Sequence, residues 1–112
     1  MSGAMIWCPF ATLEDARAAA RELLDRNLVA CANIAPGVES LFRWEGEVQT
    51  AREVGVFFKT SEARLATACE VLAEIHPYDE PAVIGWQADA VPDVTAQWLA
   101  SVTAGGGDDA PA

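Results

Sequence analysis

Basic side chains are scarce in this chain: one Lys and six Arg stand against seventeen acids, leaving a net charge of −10 over 112 residues. Phosphate backbones are held by clustered cations, so nucleic acid is not an expected partner. Histidine is limited to His76, so no second imidazole is present for a zinc-hydrolase site. There is also no glycine-rich phosphate loop and no G-x-S-x-G elbow. The chain lacks the machinery of a familiar enzyme, and a non-catalytic protein is expected. Its three cysteines, Cys8, Cys31 and Cys69, form no C-x-x-C pair. Reduced thiols in a cytoplasmic protein are the expectation, rather than a disulfide framework. No apolar run reaches the length of a membrane span. The opening Met-Ser-Gly-Ala-Met-Ile-Trp lacks the basic and apolar regions of an export signal.

What is present is hydrophobic patterning, with 52 % of residues apolar, enough for one domain with a single core. Residues 1–103 form that domain, and the glycine- and aspartate-containing stretch 104–112 is expected to be a flexible tail. Residues 31–48 organise the rest. They read as a long strand, Leu28 to Glu45, interrupted at Pro36-Gly37, turning at Glu45-Gly46 and returning as Glu47 to Thr60. Ser40, Phe42 and Trp44 alternate with Leu41, Arg43 and Glu45. Arms this long exceed the usual strand of about 5–6 residues, so the tip must project beyond the core. In the return arm Val54, Val56 and Phe58 share one face while Phe57 lies on the other. A strand apolar on both faces is covered on both. A domain of this size supplies helices for one face only, so the second face calls for another subunit.

The remaining elements follow in order. Ala4 to Cys8 is a buried strand ended by Pro9. Thr12, three residues before Asp15, caps a helix to about Arg26, with Leu13, Ala16, Ala20, Leu23 and Leu24 inward and Asn27 as its stop. Ser61 caps a second helix with Leu65, Ala68, Cys69, Leu72 and Ile75 inward. It ends near His76 because Pro77 disfavours helical geometry at the residue before it. Ala82 to Ala88 is a fourth strand. Asp93 caps a last helix with Val94, Trp98, Leu99 and Val102 on one side. The order β-α-β-β-α-β plus a helix is the α+β, ferredoxin-like arrangement: an antiparallel four-stranded sheet with two helices on one face.

Few residues could carry chemistry. His76, followed by Tyr78, Asp79 and Glu80 between two prolines, is either a metal ligand or proton shuttle, or a helix-terminal residue bonded to nearby carbonyls. Cys8 closes the first strand, where the topology allows it to approach His76. A thiolate and an imidazole together suit Cu(I) or Zn(II), although two ligands are too few for a tight structural site. Cys31 and Cys69 read as core residues. Lys59 either binds an anion or pairs with an acid at an interface. Trp44 and Glu45 either grip a ligand or pack on a partner chain.

Cys31-Ala-Asn-Ile-Ala-Pro-Gly-Val, Ser-Leu-Phe-Arg-Trp-Glu-Gly, Phe-Lys-Thr60 and His76-Pro-Tyr-Asp-Glu-Pro jointly resemble the CutA divalent-cation-tolerance family over roughly residues 5 to 103. The resemblance implies a ferredoxin-like subunit in a homotrimer whose long hairpins pair across subunits. It implies binding of copper or another divalent metal, with Cys8 and His76 at the positions of the family's ligands and no organic cofactor. Ile75 stands where the family places a second histidine. Phe42, Glu47 and Asp79 also depart from its usual Tyr, Lys and Glu. A further architectural likeness, to trimeric PII-like signalling proteins, implies an alternative. In it Trp44, Glu45, Lys59 and Tyr78 line an intersubunit cleft for a small ligand, with Lys59 reading an anion. A third reading is a stable scaffold with no ligand of its own.

Overall fold

The computed structural model of the chain describes residues 2–105; the expected tail lies outside the described residues from 106 onward. The elements are β1 (Ala4–Phe10), α1 (Leu13–Asp25), β2 (Cys31–Trp44), β3 (Glu47–Thr60), α2 (Leu65–Ile75), β4 (Ile84–Gln87) and α3 (Asp93–Val102). They form one four-stranded sheet in the order β2-β3-β1-β4, antiparallel throughout. This is the split βαβ topology that the element order implies.

One face of the sheet carries the core. Ile6, Cys8 and Phe10 of β1 alternate inward with Val56 and Phe58 of β3, beneath Ala16, Ala20 and Leu23 of α1 and Ala68, Val71 and Leu72 of α2. Alternation along the strands sends their neighbours to the opposite face. The register aligns Trp7 with Phe57 and Ile84, and Met5 with Lys59 and Trp86. No helix of this chain needs those side chains, and Ile84, Trp86 and Phe57 remain 61 %, 41 % and 38 % exposed. Trp7 reaches across to β3, where a Cβ on Gly55 would meet its ring at 2.1 Å. Glycine is required there by the close approach.

The hairpin is as long as its sequence suggests, with 14 residues in each arm. Its register shifts between Ala35 and Val38, where Gly37 takes a φ of +81°, a left-handed conformation that glycine adopts without strain. The turn places Glu45 and Gly46 at positive φ. Beyond the shift the arm leaves the core behind, and Leu41 and Val48 are 65 % and 61 % exposed.

Several boundaries differ from those read in the sequence. β1 continues through Pro9 to Phe10. β4 pairs only with Ala4–Trp7, so the missing N–H of Pro9 breaks no bond on that side. For the same reason β4 has four residues rather than the seven of Ala82–Ala88. Thr12 does cap α1, accepting from the Asp15 N–H at 3.0 Å, and Asn27 stops it at φ 56°. Leu24, placed inward by periodicity, is instead 36 % exposed.

Ser61 stands at the N-cap position of a 3₁₀ turn rather than of α2, and its side chain makes no cap bond. That turn, Glu62–Arg64, precedes α2, and the Ser61 hydroxyl instead meets that of Thr103 at 2.9 Å. Pro92, not Asp93, is the residue before α3. That helix buries Ala96 and Leu99 and leaves Val94, Trp98 and Val102 exposed, because it leans on the chain along one narrow line. Its end is fixed by Arg64, which donates to the carbonyls of Thr103 and Ala104 at 2.8 Å each.

Thr60 ties the loop before β2 to the end of β3. It is fully buried and donates to the Leu28 carbonyl at 2.7 Å. Thr60→Val keeps the shape and leaves that carbonyl without its partner. It should cost about 1–3 kcal/mol, read as a lower guanidinium midpoint at unchanged slope.

Candidate functional site

Cys8 and His76 do approach one another. The Pro9 carbonyl accepts from His76 Nε2 at 2.8 Å, and the Cys8 thiol points at the same oxygen at 3.7 Å. This meeting follows from the fold: β1 ends beneath the C-terminus of α2, and Pro77 turns the chain so that the imidazole lies over β1. His76 is buried and stacks on Phe10 with ring centroids 4.3 Å apart at 15°. The Tyr78 ring is tilted against the imidazole at 56°, with centroids 4.6 Å apart.

The hydrogen bonds define the imidazole's state. A carbonyl only accepts, so Nε2 carries the hydrogen. Nδ1 lies 3.1 Å from the Tyr78 backbone nitrogen, an N–H that only donates, so Nδ1 supplies the lone pair. His76 is therefore the neutral Nε2–H tautomer with both nitrogens engaged. Beyond it, Tyr78 donates its hydroxyl to Glu53 Oε2 on β3 at 2.7 Å. Desolvation, and then the bond to Glu53, push the tyrosine's pKa well up.

Burial also holds Cys8 as a thiol, its pKa pushed up to about 12, mainly by desolvation with the Glu53 charge adding to it. A soft-metal ligand must be a thiolate, and a histidine ligand needs a free lone pair. As folded, both imidazole nitrogens are already engaged in hydrogen bonds. Among the described residues no three His, Cys, Asp or Glu side chains are grouped to hold a metal ion. The residues at the positions implied for copper do not fit that role as they are folded.

Of the expected cleft residues, Trp44 pairs with Glu47 at the hairpin tip and Glu45 occupies the turn. Lys59 lies twelve residues along β3 from Glu47, roughly 40 Å at strand rise. It sits on the open face between Met5 and Cys31 in the register. Tyr78 turns to Glu53 instead. Within one chain these four do not form a site.

The sequence reading missed Glu53, whose only signal is an acid at the start of the apolar run Val54–Phe58. It also missed Met5, Trp7, Ile84 and Trp86. The period of two that puts Ile6 and Cys8 inward puts Met5 and Trp7 outward, so these two were accessible to the same reasoning.

The geometry and the motifs find the same counterparts. The family model of the CutA1 divalent ion tolerance protein matches residues 4–102. The chain belongs to this family. It is 33 % identical to the divalent-cation tolerance protein CutA of Thermococcus kodakarensis, over 94 % of this chain and all of that one. The crystal structure of the divalent ion tolerance protein CutA1 from Ehrlichia chaffeensis superimposes with a TM-score of 0.85 at 32 % identity, covering 90 % of this chain and 94 % of that one. The periplasmic divalent cation tolerance protein CutA from Archaeoglobus fulgidus gives 0.85 at 27 % identity, covering 90 % and 98 %. The CutA1 fold thus accommodates the cysteine–histidine meeting described above.

The raised thiol pKa has a defined consequence. An unfolded Cys8 ionises near its ordinary pKa of 9.0, while the folded one stays neutral to about 12. The stability this provides is fully present below 9.0 and lost as pH rises through that interval. Native Cys8 should resist iodoacetamide around pH 8 and react fully in denaturant. Peptide mass spectrometry reads both, and rapid native alkylation of Cys8 would contradict the burial.

Proposed function

We propose that this CutA1-family chain works as a homotrimer that contributes to divalent-cation tolerance in the cytoplasm and performs no catalysis. The observation that carries the trimer is the open face of the sheet. Met5, Trp7, Phe57, Ile84 and Trp86 lie along one surface opposite the core, and three of them are more than a third exposed. Contiguous apolar surface of this kind marks an interaction site. The projecting hairpin gives a second copy something to grasp, since β2 is an edge strand with unpaired backbone groups along its outer side. Trp44 is then part of a wall between copies.

The metal is cargo or effector rather than a resident group, and its support is the family alone. Copper at Cys8 and His76 would need both side chains to leave their present bonds, so that pair forms no step in this reading. The three cysteines are unpaired, which favours a reducing compartment, although the archaeal relative above is described as periplasmic. No described helix is long and apolar enough to cross a membrane. Nothing in one chain favours the small-ligand reading of Trp44, Glu45, Lys59 and Tyr78.

Light scattering at micromolar concentration should give three times the 11.9 kDa chain mass. Ile84→Asp with Trp86→Asp should lower that mass, and a monomeric wild type would overturn the assembly. Cells lacking the protein should grow worse in excess copper or cobalt and recover when it is restored; equal growth with and without it would contradict the tolerance role.

A further inference from the structure

We propose that Cys8 and His76 are not metal ligands in this chain, and that His76 is the centre of a brace running from the Pro9 carbonyl through Tyr78 to Glu53 that sets the angle of the hairpin arm. The leverage of that angle over assembly rests on the trimer reading above.

The bonds form a continuous series. His76 Nε2 donates to the Pro9 carbonyl, Nδ1 accepts from the Tyr78 N–H, and the Tyr78 hydroxyl donates to Glu53. The imidazole cannot turn away from this arrangement without losing its ring contacts with Phe10 and Tyr78. Any metal bound at either ring nitrogen would replace one of its hydrogen bonds. The cost of that exchange is high, because a buried polar group left without a partner is expensive.

The far end of the brace falls at the pivot of the arm. Glu53 pairs with Val38, the first residue of β2 beyond the register shift, just after Gly37 at positive φ. Among the described residues, Tyr78 to Glu53 is the one side-chain hydrogen bond joining the arm beyond that shift to the body. Seven residues separate the pivot from the tip, about 23 Å of strand, so a swing of about 10° moves the tip by about 4 Å. That displacement is close to a full strand spacing of about 4.8 Å, enough to take an arm out of register with a neighbouring copy. A charge-assisted hydrogen bond at the pivot therefore has leverage over assembly that an equal bond at the tip would lack.

The test combines three readouts on the full chain. Tyr78→Phe and Glu53→Gln should keep the wild-type circular dichroism while raising the concentration at which the trimer dissociates by about tenfold or more, measured by sedimentation velocity. Pulsed dipolar distances between spin labels at Glu47→Cys and Glu74→Cys, with Cys31→Ser and Cys69→Ser in the background, should broaden in Tyr78→Phe. This readout serves a monomer as well as a trimer. A monomeric wild type would remove the trimer reading, while the label distances would still decide the brace. Competition for Cu(I) against a chromogenic chelator should give the same affinity for wild type, Cys8→Ser and His76→Ala. An unchanged distance distribution in Tyr78→Phe would overturn the brace. A tenfold loss of cuprous affinity in Cys8→Ser or His76→Ala would overturn the exclusion of those residues as ligands.

Discussion

The structure depends on an imbalance between its sheet and its helices. Two helices cover one face of a four-stranded sheet and bury Ile6, Cys8, Phe10, Val56 and Phe58 beneath them. The opposite face presents Trp7, Phe57, Ile84 and Trp86, and among the described residues the last three remain more than a third exposed. Area removed from water contributes about 25 cal/mol per Å², so several large side chains left uncovered represent a substantial unused driving force. The long arms add backbone edges to that apolar surface. In the trimer proposed above, a second and third copy satisfy both needs at once.

The polar interior is small and fully committed. Among the described residues no buried side-chain nitrogen or oxygen lacks a partner. His76 spends both ring nitrogens on backbone groups, and Thr60 and Thr103 each answer a carbonyl. A resident metal site normally shows the opposite character, with ligand lone pairs converging on a space and outer partners orienting them. Here the convergence is on an oxygen atom of the chain itself. The tolerance role proposed for this family member then calls for a mode of action outside the cysteine–histidine pair as folded.

Much of the fold was legible in the sequence because its signals are local. Thr12, Asn27 and the pair Glu45-Gly46 mark boundaries by backbone chemistry that tertiary contacts do not override. The doubly apolar run at Val54–Phe58 announced the open face. Other features depend on what lies across space. Pro9 reads as a terminator until the shortness of β4 is known, and Ser61 reads as a helix cap until Thr103 arrives beside it. The candidate site was half legible. Proximity of Cys8 and His76 followed from topology, but the state of the imidazole depends on the Pro9 carbonyl and the Tyr78 N–H, two backbone groups that carry no sequence signature. Glu53 was invisible for a similar reason, since its partner lies 25 residues away.

Coverage of the open face and arms by further copies is tested most directly by residue-resolved amide hydrogen exchange along Ser40–Trp44, on the edge of β2 that points away from β3. Pairing with another copy predicts that these outward amides are protected as strongly as those bonded within the hairpin. Exchange at the rate of a free peptide would contradict it.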